Sequence, residues 1–156
     1  MDIKFAKPFV EATINVLSTM AMVTPKVGKP FIKESSVATG DVSGIIGVTA
    51  DGGKEGVISV TFPKKCAVAV VKNLLGGEIE DVINDVRDAV GEITNMISGQ
   101  ARKNLVEMDI VLEAATPTVI MGDNHVITHV TKDNIMVVPF STEYGEFEVE
   151  FSMNDK

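Results

Sequence analysis

Between residues 5 and 23, apolar side chains recur at Phe5, Phe9, Ala12, Ile14, Val16, Leu17, Met20 and Met22, the spacing of a helix with a broad buried face. Pro8 fits its first turn, and Pro25 is expected to close it. From Phe31 the texture changes to Val, Ile, Thr, Ser and Gly; 37–39, 42–48 and 57–62 read as strands, with Asp51-Gly52-Gly53 joining the last two as a hairpin. Pro63 opens a helix over 64–75, which Gly76-Gly77 stops. A longer helix over 80–107 contains no proline and carries acids at its start and Arg102 and Lys103 near its end, an order matched to the helix dipole. Alternation returns at 119–121, 126–131, 135–140 and 147–151, punctuated by Gly122-Asp123-Asn124, Lys132-Asp133-Asn134 and Tyr144-Gly145-Glu146. Strands in hairpin-like runs with three helices among them predict an α+β fold, mainly antiparallel sheet packed with α-helices. No linker or fixed-period repeat divides residues 1–156, so a single domain is expected.

Composition narrows the function. A chain of 156 residues buries about two-thirds of its surface on folding, enough for a substantial core. Lys and Arg total 14 against 22 Asp and Glu, and the formal charge of −8 argues against nucleic acid or an anionic membrane as partner. One Cys and two His cannot build a Cys-rich zinc site or a disulfide framework, and no metal site is expected. His125 and His129 read as ordinary strand histidines, and Cys66 as a buried structural thiol suited to a reducing cytoplasm. No apolar run approaches the roughly 18 residues of a spanning helix, which predicts a soluble, cytoplasmic protein. The glycine-rich stretches at 40–44 and 51–54 lack the full phosphate-loop pattern and precede strands, so they read as turns. An enzyme of this composition must work with very few titratable groups.

The long helix divides into two faces. Val82, Val86, Ala89, Val90, Ile93, Met96, Ile97 and Leu105 form a core stripe. Opposite them, Asp81, Asp85, Asp88, Glu92, Asn95, Gly99 and Arg102 step by 4, 3, 4, 3, 4 and 3 and stack along one side. An amphipathic helix needs a solvated face, and that accounts for most such patterns. Two residues fit that account poorly: Asn competes for backbone hydrogen bonds, and Gly costs about 1 kcal/mol relative to Ala in a helix interior. A glycine at 99 also lets another protein's backbone approach Glu92 and Asn95 closely.

The stretch Asp88-Ala-Val-Gly-Glu92-Ile-Thr-Asn95-Met-Ile-Ser-Gly99-Gln-Ala101 resembles the D/S-x-x-x-E-x-x-N signature of the CheC, CheX and FliY phosphatases of bacterial chemotaxis. Thr116-Pro117-Thr118-Val119 falls where that family carries a proline after the motif helix. The resemblance implies hydrolysis of the aspartyl phosphate on the response regulator CheY, with Glu92 and Asn95 catalytic, Asn95 orienting the water and Glu92 docking a receiver lysine. Asp88 and Gly99 would border the partner, and Mg²⁺ would arrive on the response regulator, with no cofactor held by this chain. Glu11 and Asn15 in the first helix are four apart instead of three, so they make no second motif. A single motif is similar to the CheX branch, which implies a homodimer through sheet edges. The alternative is a catalytically silent scaffold that docks a receiver domain or a flagellar motor component; a receiver other than CheY is a further possibility.

Overall fold

The computed structural model describes residues 6–33, 40–50, 52–122 and 135–153. The helices are α1 (Ala6–Met20), α2 (Lys64–Leu75) and α3 (Val82–Val106). The strands are β1 (Lys26–Val27), β2 (Phe31–Lys33), β3 (Val42–Ala50), β4 (Glu55–Phe62), β5 (Leu112–Ala114), β6 (Thr118–Met121), β7 (Ile135–Thr142) and β8 (Gly145–Met153). They form one antiparallel sheet in the order β1-β7-β8-β4-β3-β5, with β2 also pairing β7 and β6 also pairing β3. The α+β expectation is met.

Local sequence explains most of these boundaries. The β3–β4 hairpin keeps register from Val42↔Phe62 to Thr49↔Glu55, and its turn includes Gly52 and Gly53 at φ 83° and 79°, angles that glycine adopts without penalty. α2 spans the expected residues and ends at Gly76, whose N–H donates to the Lys72 carbonyl. α1 stops at Met20, short of the expected 23. The Val23 N–H donates 3.1 Å to the Leu17 carbonyl across Met22, which sits at φ 53°. This six-residue closure, rather than Pro25, ends the helix. β1, β2 and β5 have two or three residues each, too few for alternation to register in a sequence. The expected strands at 37–39 and 126–131, the turn at 132–134, and Phe5, Asp51, Asp123 and Asn124 lie outside the described residues.

One hydrophobic cluster joins the three helices to one face of the sheet. Val42, Ile46 and Val48 of β3, Ile58, Val60 and Phe62 of β4, and Phe147, Val149 and Phe151 of β8 belong to it. Phe147 stacks on Phe62 and Phe140 with ring centroids 4.9 and 5.0 Å apart, and Phe9 of α1 stacks on Phe151 at 5.5 Å. The alternate strand residues point to the other face, where Ser43, Ser59, Thr61, Glu150 and Ser152 are buried. There Lys33 Nζ lies 2.7 and 2.9 Å from the two carboxylate oxygens of Glu150. Glu150 is 1% exposed, and its charge is tolerated in the interior because it is paired.

α3 packs against α1 and α2 and lies over β3 and β6. It approaches β3 closely at Gly44. A β-carbon at that position would overlap the Thr94 hydroxyl and stand 2.9 Å from the Thr94 β-carbon. Thr94 can be buried there because its hydroxyl donates 2.7 Å to the Val90 carbonyl. Gly44→Ala is therefore expected to destabilise the protein by about 1–3 kcal/mol through overpacking. Urea denaturation measures the loss, and adding Thr94→Ala should restore part of it; an unchanged midpoint for Gly44→Ala would show that α3 can be moved off the strand.

Candidate functional site

α3 is held at both its start and its middle. Asp81 is its N-cap: its carboxylate accepts 3.2 Å from the Asn84 backbone N–H and 2.7 Å from the Asn84 side chain. Those two bonds, the backbone one first, hold the Asp81 carboxyl below the ordinary aspartate range. The Asp85 carboxylate in turn accepts 3.2 Å from the Asp81 backbone N–H, a reciprocal arrangement like a capping box. The helix thus starts at Val82 rather than at 80, and Asp81 and Asp85 are used to build it.

Further along, Ile93 and Thr94 point into the core, while Glu92 and Asn95 point out and are exposed. At i, i+3 spacing their β-carbons are about 5–6 Å apart. Asp88, one turn earlier, is also exposed. None of the three makes a hydrogen bond or ion pair with another described residue. Gly99 continues the face one turn beyond Asn95. A β-carbon there would meet only Arg102 Nη2, at 3.9 Å, so internal packing does not require a glycine. All four predicted site residues therefore share one face of one helix.

The core side of α3 departs from expectation in detail. Val82 is 42% exposed, and Met96 is only partly buried. Thr94, Ser98 and Ala101 are buried instead. Small and hydroxyl side chains do not register in an apolar count, yet they are what allow close packing here. Cys66 is buried, and burial pushes its thiol pKa up against a weaker opposing contact from Thr142. That disfavours the nucleophilic thiolate. His125 and His129 lie outside the described residues. Among the described residues no group of three or more His, Cys, Asp or Glu is placed to hold a metal, and no helix is long and apolar enough to cross a membrane.

The Glu92–Asn95 face is the outer side of a helix. Three clefts, of about 370, 380 and 190 Å³, are lined by other residues. A convex surface with a free carboxylate, a free amide and a bare glycine is suited to entering a concavity on another macromolecule rather than to enclosing a small ligand.

A three-helix layer on an antiparallel sheet, with an exposed E-x-x-N on the central helix, defines a CheC/CheX-like protein. The chain belongs to the chemotaxis phosphatase CheX family, whose model matches residues 42–141. It is similar to the crystal structure of the chemotaxis protein CheX from Desulfovibrio desulfuricans, with 57% identity and a TM-score of 0.91 over 97% of this chain and 100% of that one. The CheY-P phosphatase CheX of Thermotoga maritima is 25% identical over 123 residues, 78% of each chain. CheX in the CheX-CheY-BeF3-Mg²⁺ complex from Borrelia burgdorferi is 26% identical, with a TM-score of 0.81 over 99% of this chain and 100% of that one.

Because Gly99 meets no obstacle, Gly99→Ala is expected to raise stability by about 1 kcal/mol through helix propensity alone. Chemical denaturation checks this, and a fall in stability would mean that the glycine serves the chain's own packing.

Proposed function

We propose that this protein hydrolyses the aspartyl phosphate of a CheY-like receiver domain, with α3 as the inserted element. The observation that carries the reading is the pair Glu92 and Asn95, exposed and paired with no described residue, on a helix seated firmly against the sheet. An acyl phosphate is a reactive anhydride, so catalysis needs chiefly a water placed in line with phosphorus and charges that stabilise the transition state. The Asn95 amide offers an acceptor for a water proton and a donor for a phosphoryl oxygen. The water oxygen attacks phosphorus, the phosphorus–carboxylate bond breaks, and the receiver aspartate leaves as a carboxylate with inorganic phosphate as the other product. Glu92 pairs with the receiver's lysine, a charge-assisted contact that fixes the register of docking. Asp88 borders the contact, and Gly99 lets the receiver backbone come close. Mg²⁺ belongs to the receiver's acidic cluster, where it neutralises charge on the phosphoryl oxygens. The CheX fold, the CheY-P phosphatase relative and the CheX-CheY complex support this assignment.

Asn95→Ala is expected to abolish accelerated phosphate release while keeping receiver binding, and Glu92→Ala to weaken both. Phosphate release from a phosphorylated receiver, measured with and without EDTA, and binding to the same receiver check these outcomes. Full activity in Asn95→Ala would remove the water-positioning role; binding without acceleration by the unmodified chain would instead identify a scaffold.

The same family likeness supports a homodimer through sheet edges. The β1 and β2 edge leaves Val27, Phe31 and Ile32 exposed by 46, 45 and 51%, apolar area that a second copy would cover. Sedimentation is expected at about 33 kDa, twice the 16.7 kDa chain, as for a cyclic dimer. A single species at the monomer mass over the micromolar range would count against it.

A further inference from the structure

The motif face ends on a cation that the phosphatase reading leaves unused. Arg102 follows Gly99 by three residues and Asn95 by seven, on the same side of α3. Long helical side chains lean towards the helix N-terminus, and Arg102 does so: its Nη2 lies 3.9 Å from where a Gly99 β-carbon would stand. The guanidinium therefore lies beside bare backbone, displaced from its own α-carbon towards Asn95. The two α-carbons are about 10.5 Å apart along the axis at 1.5 Å per residue, and the lean shortens that distance for the charged group. No side chain at position 99 stands between them.

Arg102 is also unmatched. Among the described residues its buried Nε has no hydrogen-bond partner, and the side chain makes no ion pair with any of them. A buried donor without an acceptor is costly. The chain has 22 Asp and Glu against 14 Lys and Arg, so carboxylates outnumber the cations that could pair with them. The face consequently carries, in order, two exposed carboxylates, an amide, a gap and a half-buried guanidinium that no described residue pairs with. Such an array distinguishes the two directions in which a partner could lie along the helix.

We propose that Arg102 is a docking residue whose guanidinium pairs with a carboxylate on the bound receiver, two helical turns from the phosphoryl group that Asn95 addresses. The inference rests on the assignment of Glu92 and Asn95 given above. Glu92 meets a cation and Arg102 an anion, so only one orientation of the receiver satisfies both, and the wrong orientation sets like charges against each other. The planar fork of arginine matches a carboxylate through two parallel N–H bonds, which lysine cannot reproduce. Gly99 leaves the guanidinium and the receiver backbone room on the same turn. Arg102 thereby acts on orientation and affinity, while the reacting atoms are left to Asn95.

The test uses the full chain with a receiver held active by beryllofluoride and Mg²⁺ for binding, and with the phosphorylated receiver for turnover. Arg102→Glu is expected to weaken binding and raise KM by at least roughly tenfold, with kcat held within about twofold, because reversal puts like charges in contact. Arg102→Lys should fall between the two, and binding by Arg102→Glu should be less weakened by salt than that of the unmodified chain. Arg102→Gln, which keeps part of the packed stem, should lose affinity with a thermal midpoint no lower than that of the unmodified chain, separating docking from folding. Unchanged KM and affinity in folded Arg102→Glu and Arg102→Gln would overturn the inference while leaving the Asn95 assignment standing. A fall in kcat at constant KM would overturn it by placing the guanidinium at the reacting phosphoryl group. If the unmodified chain neither binds nor accelerates phosphate loss, the phosphatase reading and this inference fall together.

Discussion

The rest of the structure depends on how closely α3 can approach β3. Gly44 has no side chain, Thr94 settles its hydroxyl on its own helix at Val90, and the two backbones come together where a single β-carbon would hold them apart. Because Thr94 lies between Glu92 and Asn95 in sequence, the residue that fastens the helix inward sets the direction in which its neighbours point outward. A functional side chain is only as well placed as the element that carries it. Here that element is capped by Asp81 and Asp85 at one end and seated against a strand near its middle.

This arrangement explains how a chain with one cysteine and two histidines can belong to a phosphatase family. When the bond to be broken is already activated and a partner carries the metal, the protein needs to contribute geometry more than reactivity. On the proposed reading an amide and a carboxylate on an outward-facing helix meet that need, and no described residue pairs with either side chain. The acidity of the chain takes on meaning in the same way: with a net charge of −8, an arginine on the motif face that pairs with no described residue is conspicuous.

The long elements were legible because their periods are local. α2 and α3 announce themselves by apolar spacing and stop signals, and β3, β4, β7 and β8 by strand texture over five to seven residues, each running two to four residues longer in the structure. The edge strands β1, β2 and β5 were not, since a two- or three-residue strand exists through its partner rather than through its own pattern. Glu150 was equally opaque: in sequence it is one of three alternating glutamates on β8, and its pairing with Lys33, brought across from β2, helps make its burial tolerable. The end of α1 depended on Met22 taking a left-handed backbone, which nothing in its side chain advertises.

For the site, the sequence by itself determined which residues share a face of the helix, because seven positions stepping by three and four must stack on any α-helix. It also supplied the E-x-x-N spacing that the family likeness rests on. Tertiary structure decided which of the seven are available. Among the described residues, Asp81 and Asp85 are consumed in the cap, the Asp88, Glu92 and Asn95 side chains remain free, Gly99 meets no packing that requires it, and Arg102 has no partner. The physical reason is that a helical period depends only on neighbours along the chain, whereas freedom from partners depends on everything that folding brings near.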